Sequence, residues 1–395
     1  MLDSITPLEH KPTLGEVMQR VQALMPAIRE RAGRTEENRS IPPESAQEFL
    51  DIGLARVLMP KQFGGWEMGL RAWVEISTEI AKADAAHAWC ACMIMHHPHY
   101  LAQFPEPAQA EVWRHGPDVA MACTFTPTSK VGPVEGGYRI SCEIPYLSGI
   151  NHCSRVVVAG MVPRHDGPPD WTLFLVPEKA FEIRDTWHTV GMRGTGSNTV
   201  IVKDVFVPHE HTLKVTDMRD QRTPGAALHK TPMFNSPWIT YATLTFLSPM
   251  LGSTRGALEE YRRWTADRVS LFGAPVAKYT SQQVNIARAA ASLDAAEMLM
   301  IRSAEVGEMA EPVPEELRAR CYRDQARASE LIVEAIDTIM KISGAAGFAS
   351  TSSIQRAWRD VHFASSHVSL NPETSMAAWG RMQFGLERDP QQMMF

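Results

Sequence analysis

The sequence predicts a mainly helical α+β protein in three zones: an N-terminal helical domain over residues 1–117, a middle β-domain over 118–212 and a C-terminal four-helix bundle within 213–395. Three observations carry this. In the first and last zones apolar residues recur at three- and four-residue steps, the period of one helix face. The middle zone is rich in Val, Ile, Thr and Tyr and is broken by glycine pairs, which is how short strands read. Helices, then strands, then helices is not the alternation of a doubly wound fold, and no Gly-x-Gly-x-x-Gly opens a helix after a strand.

Val17, Val21, Leu24, Met25 and Ile28 define the first helix face. Pro42-Pro43 followed by Ala46, Phe49, Leu50 and Ile52 marks a second helix that stops near Gly53, and Gly64-Gly65 marks a loop. The segment from Leu70 to His97 is long, mostly apolar and free of proline before Pro98, so it reads as buried helix. In the middle zone Val156–Met161, Trp171–Val176 and Thr199–Phe206 are β-type runs, the last alternating at Val200 and Val202 and ended by Pro208. The bundle is expected from Tyr241–Trp264, Ser281–Val306, Pro314–Gly344 and a final helix near Met376.

Composition excludes several function classes. Thirty-nine basic against 45 acidic residues give a net charge of −6, which is no footprint for nucleic acid. No window approaches 18 consecutive apolar residues, and Met1 to Gln19 lacks a signal-peptide layout, so a cytoplasmic chain with no membrane partner is expected. Six cysteines are too few for a disulfide scaffold and read as free thiols. Cys90 and Cys92, followed by His96, His97 and His99, match no common zinc spacing. On a helix the two cysteines point roughly 200° apart, and no metal is expected.

Several residues could carry chemistry. The run Arg193-Gly-Thr-Gly-Ser-Asn198 has the glycines of a phosphate cradle, but a strand follows it instead of a helix, so it reads as a tight turn. Arg268, before the Phe272-Gly273 breaker, is either a phosphate ligand or a solvated helix-end arginine. Gly344-Ala-Ala-Gly347 allows close backbone approach to another helix or to a ligand. His362 and His367 are either proton donors or structural histidines. Trp89 lies about two helical turns before His97, so one helix can present an aromatic plate and a base to a planar ligand.

Together these residues resemble the acyl-CoA dehydrogenase fold along nearly the whole chain. Phe63-Gly64-Gly65 resembles its early P-x-x-x-G-G loop, and Asp267 to Val276 its arginine-then-Phe-Gly flavin-phosphate segment. Ile342 to Phe348 resembles its Gly-Gly-x-Gly-Tyr segment, and Arg359-Asp360 the R-D pair before the dehydrogenase active-site segment. The Glu-Gly-Thr motif of one dehydrogenase branch is missing: Ser366-His367-Val368 stands there, and Glu373 serves only after an insertion. The chain more closely resembles flavin-dependent monooxygenases of this fold, in Val190–Thr199, Lys203–Pro208, Glu316–Arg320, Arg323–Gln325 and Ile354–His367. These are oxygenase components of two-component systems, among them the hydroxylases of p-hydroxyphenylacetate and of a seco-steroid phenol.

The resemblance implies reduced FAD or FMN and O₂ as cofactors, acting through a C4a-hydroperoxide to hydroxylate a small phenolic or indolic substrate. It implies a separate NAD(P)H–flavin reductase and a homotetramer in which the Gly344 segment completes a neighbour's flavin site. By position, Ser148 matches a serine that donates to flavin N5, His367 a histidine beside the flavin C4a position and His97 a histidine that helps ionise a phenol. Arg268 matches the flavin-phosphate arginine, and Trp89, Thr124, Tyr146, Phe272 and Gly344 fall at further flavin-binding positions. Cys123 replaces a substrate-contacting serine, and the usual Trp-Ser-Ser-Gly-Cys-Asp-His is Tyr146-Leu-Ser-Gly-Ile-Asn-His152. Alternatives are N- or S-oxygenation on the same fold, an FAD-bound acyl-CoA dehydrogenase, or an inert flavin-fold scaffold.

Overall fold

The computed structural model describes residues 11–389; the start of the stretch read above for a signal peptide lies outside them. Five helices open the chain: α1 (Leu14–Asn38), α2 (Pro43–Asp51), α3 (Leu70–Ala81), α4 (Ala85–Leu101) and α5 (Glu106–Trp113). A capping box starts α1, with Glu16 N bonded to Thr13 Oγ1 and the Glu16 carboxylate bonded back to Thr13 N. The apolar stretch from Leu70 to His97 is two helices, which corrects the reading of one. Asp84 breaks it: its backbone is extended and its carboxylate accepts from His87 N, which starts α4 afresh. The second helix also runs through Pro98 to Leu101, and nearly all of it is buried.

Eight strands follow: β1 (Met121–Cys123), β2 (Lys130–Val134), β3 (Gly137–Leu147), β4 (Arg155–Val162), β5 (Asp170–Val176), β6 (Glu182–Arg184), β7 (Asn198–Pro208) and β8 (Thr212–Lys214). They form two four-stranded sheets, ordered β1-β4-β5-β8 and β2-β3-β7-β6. Side-chain alternation explains why β4 and β5 read as unbroken apolar runs. Val156, Val158, Phe174 and Val176 face the core between the sheets, while Val157, Ala159, Leu173 and Leu175 face the helices. The second sheet is covered on one face only, so Val200 and Val202 of β7 are buried while Lys203 is exposed.

Short helices α6 (Val215–Arg219), α7 (Pro224–His229) and α8 (Trp238–Tyr241) lead to the long ones. These are α9 (Leu244–Ala266), α10 (Thr280–Gly307), α11 (Glu315–Ser343), α12 (Ser353–Ser365) and α13 (Pro372–Gln383). Small buried residues such as Ala289, Ala296, Ala304, Ala328 and Ala335 let α10 and α11 pack closely. Among the described residues no helix is long and apolar enough to cross a membrane.

Candidate active site

The site is built where α4, the end of β3, the start of α9 and the loop after α12 meet. Trp89 on α4 donates its indole Nε1–H to Ser148 Oγ at 2.9 Å. The same indole stacks on Phe246 of α9, with centroids 5.2 Å apart. Phe246 in turn lies against His367, which follows α12, with centroids 3.8 Å apart. Trp89, Phe246 and His367 thus form one aromatic column with Ser148 hydrogen-bonded at its edge. Phe246, Ser148 and His367 remain half-buried, so the column is open to a ligand.

Behind Ser148 runs a line of hydroxyls. Ser148 Oγ lies 2.8 Å from Ser197 Oγ, which lies 2.7 Å from Thr195 Oγ1, which donates to Met192 C=O at 2.9 Å. Ser197, Thr195 and Met192 all sit at the 190–198 turn, and Thr195 and Ser197 are buried. The strand expected after the turn begins at Asn198, and Thr195 N bonds Met192 C=O, so the turn reading holds and the phosphate cradle does not. Two glycines allow the surrounding helices to press on it. A Cβ on Gly191 would lie 2.3 Å from Arg359 C=O, and one on Gly194 would lie 2.3 Å from Thr35 Cγ2. Met192 N–H donates to buried Asp360 of α12 at 2.6 Å. Burial, with Asp84 nearby, pushes the Asp360 carboxyl up to about 7.

The two candidate histidines are held in opposite tautomers. His97 Nδ1 lies 2.6 Å from Met121 C=O, and a carbonyl only accepts, so Nδ1 carries the proton and Nε2 is a free acceptor. His367 Nδ1 instead accepts from Ser369 N–H at 3.2 Å, which leaves Nε2–H as its donor. Burial pushes both rings down to about 4, so both are neutral at physiological pH. His362, the other candidate on this segment, pairs with Asp337 at 2.8 Å and takes no part in the column. Glu373 is exposed at the start of α13.

Around His97 lies an aromatic wall that sequence reading missed. Tyr100 meets Phe125 edge-on at 5.0 Å, and Phe125 packs on Trp238 at 5.2 Å. Cys123 ends β1 in the same core, its thiol pushed up by burial and therefore neutral. Thr124 follows it, its hydroxyl accepting from Thr126 N–H. His96 and His99 are buried with other partners, Thr245 Oγ1 and Met233 C=O. Cys90 and Cys92 point to different carbonyls, those of Thr195 and Thr245.

The remaining candidates form a second group. Arg268 lies over the Trp264 ring at 4.6 Å and reaches Ser343 C=O at 3.4 Å. A Cβ on Gly344 would lie 4.0 Å from its guanidinium, so Arg268 and Gly344 are neighbours within one chain. No carboxylate pairs with Arg268 among the described residues. Phe272 is 91% exposed and Leu271 94% exposed beside it. Tyr146 is also exposed, with a left-handed backbone and an edge contact to Trp187 at 5.9 Å. A cavity of ≈ 560 Å³ between α1, α2 and Asn151-His152 is lined by none of these side chains.

An aromatic column, a half-buried serine with acceptor capacity to spare and an unpaired arginine fit a planar, phosphate-bearing cofactor such as flavin. The family models agree on the class. Residues 16–115 match the acyl-CoA dehydrogenase N-terminal domain, and residues 244–372 match its C-terminal domain. The chain is 35% identical to the flavin-dependent monooxygenase oxygenase subunit HsaA of Rhodococcus jostii, over 93% of this chain and 98% of that one. It is 30% identical to the FADH₂-dependent resorcinol hydroxylase oxygenase component of Rhizobium, over 96% of this chain and 97% of that one. The crystal structure of 3-HSA hydroxylase from Rhodococcus sp. RHA1 superposes with a TM-score of 0.91 at 34% identity, covering 98% of this chain and all of that one. The chain belongs to the flavin-dependent monooxygenases of the acyl-CoA dehydrogenase fold.

Proposed function

We propose that this chain is the oxygenase component of a two-component aromatic hydroxylase. It takes reduced FAD or FMN from a separate NAD(P)H–flavin reductase and uses O₂ to hydroxylate a small phenolic or indolic ring. The observation that carries the reading is the column of Trp89, Phe246 and His367 with Ser148 at its edge, Trp89 lying on the same helix as His97. The relatives' names support the same chemistry.

Reduced flavin, when bound, supplies the two electrons that activate O₂. The chain's residues do the rest. Trp89 and Phe246 offer it aromatic surface, Ser148 faces its N5, and Arg268 takes its phosphate. His367 presents Nε2–H as a neutral donor beside the reacting oxygen. His97 Nε2 accepts a hydrogen bond from the substrate's hydroxyl or ring N–H, which raises the ring's nucleophilicity and favours aromatic carbon over nitrogen or sulfur as the target. Tyr100, Phe125 and Trp238 close the substrate side against water.

The patch of Leu271, Phe272 and Phe348 is exposed and apolar beside Arg268 and Gly344. It fits a homotetramer in which the Gly344 segment reaches a neighbour's flavin, as the resemblance implies. The test supplies candidate phenols and indoles to the protein with O₂ and an added flavin reductase. Hydroxylated product that needs all three components supports the reading. Flavin oxidation with no oxygenated product from any aromatic, and bleaching of bound FAD by an acyl-CoA, would overturn it.

A further inference from the structure

The direction of the hydroxyl line behind Ser148 can be worked out from its far end. Met192 C=O can only accept, so Thr195 must donate to it. With that proton committed, Thr195 Oγ1 can only accept from Ser197, and Ser197 can then only accept from Ser148. Ser148 also accepts from Trp89 Nε1–H. A hydroxyl has one proton and two lone pairs, so Ser148 is left with a single lone pair and no proton to give.

We propose that Thr195 and Ser197 are positioning residues that fix Ser148 as a hydrogen-bond acceptor, and that this makes the site select reduced over oxidised flavin. The proposal rests on the reading that Ser148 faces flavin N5, and it reverses the expectation that Ser148 donates there. Reduced flavin carries a proton on N5, which an acceptor welcomes. Oxidised flavin presents a bare N5 lone pair, which opposes the Ser148 lone pair. A two-component oxygenase must take up the reduced form and let the oxidised form go, so the line gives the site a reason to discriminate.

Thr195→Val is the informative change. Met192 C=O keeps two other donors, Trp187 Nε1 at 3.0 Å and Thr195 N at 3.2 Å, so no buried carbonyl is orphaned. Ser197, its acceptor gone, turns its proton to Ser148, and the Ser148 proton is freed toward N5. The full-length protein would be titrated anaerobically with reduced FMN and separately with oxidised FMN, and the ratio of dissociation constants compared. The expected result is that Thr195→Val narrows the preference for reduced FMN about fivefold, mainly by tightening the oxidised form, which is the scale of one hydrogen bond. Thr195→Ser restores it, and Ser197→Ala, which also frees the Ser148 proton, narrows it as Thr195→Val does. If Ser148→Ala narrows the ratio but neither Thr195→Val nor Ser197→Ala does, the line has no directing role and the proposal falls while the placement of Ser148 stands. If Ser148→Ala leaves the ratio unchanged, Ser148 does not face N5 and that placement falls with the proposal.

Discussion

Phe246 and His367 lie with ring centroids 3.8 Å apart and planes inclined by 32°. The contact joins the start of α9 to the loop after α12, and Phe246 carries it on to Trp89. Among the described residues the His367 ring is otherwise tethered only through Nδ1, so the Phe246 face sets where its donor nitrogen points.

Phe246→Leu keeps apolar bulk and removes the aromatic face. An aromatic contact of this kind contributes about 1 kcal/mol. Product formed per O₂ consumed should fall about fivefold, with little change in melting temperature because Phe246 is only half-buried. An unchanged coupling ratio would show that the stack does not position His367.

His97→Ala removes the free Nε2 acceptor. Turnover of a phenol should drop about 100-fold, the scale of a lost general base, while reduced flavin binds as before. The wild-type rate should show no inflection from this group between pH 6 and 8, since burial holds it at about 4. A His97-dependent inflection near 6.5 would contradict the neutral acceptor.

Four histidines with lowered pKa make the fold sensitive to acid. Burial lowers His97, His99 and His367 to about 4, and His96 well below its ordinary value. Between about pH 6.5 and 4 the unfolded chain binds protons that the folded chain refuses, so stability falls as pH falls through that window. Melting temperature measured from pH 7.5 to 4.5 should drop steeply below 6.5.

Asp360 acts in the opposite sense. Its carboxyl is raised to about 7, so the folded state holds a proton that the unfolded state releases, and its penalty grows as pH rises from about 4 to 7. Asp360→Asn keeps an acceptor for Met192 N–H and removes the charge. The variant's melting temperature should exceed wild type by a margin that opens over that range and then stays level. Asp360→Ala, which strands the buried N–H, should cost about 1–3 kcal/mol in denaturant unfolding.

Arg268→Gln tests the second group. Wild type should bind reduced FMN more tightly than reduced riboflavin, and the variant should lose about tenfold or more of that preference, as for a hydrogen bond to a charged partner. Equal loss for both ligands would place Arg268 away from the phosphate.

The unbroken apolar runs of β4 and β5 and the alternating β7 are legible in the sequence, and β3 is not. Its register slips between Ile140 and Cys142 and again between Ile144 and Leu147, so the bulges erase the two-residue period. The break at Asp84 had a local signal, a capping aspartate three residues before His87, which the apolar run around it masked. Trp89, His97 and Ser148 stand out as candidates because each lies in a recognisable local segment, and the fold brings Trp89 and Ser148 into contact. Phe246 does not, because its role comes only from what the fold brings against it. Thr195 and Ser197 were in plain view in the Gly-rich run, but the glycines drew the reading and the hydroxyls did not.

The 190–198 turn is squeezed at Gly191 and Gly194 between Arg359 and Thr35, and Asp360 holds its Met192. A side chain at Gly191 would meet α12 at Arg359 C=O and Phe363 Cβ, and one at Gly194 would meet α1 and α4 at Thr35 and Ala86. The wall beside His97 is different, because Phe125 and Trp238 come from a loop and a four-residue helix. On the proposed assignment, selection can exchange residues on the wall beside His97 one at a time while the 190–198 turn tolerates almost none. A lineage of such enzymes can acquire new aromatic substrates without reinventing how it handles O₂.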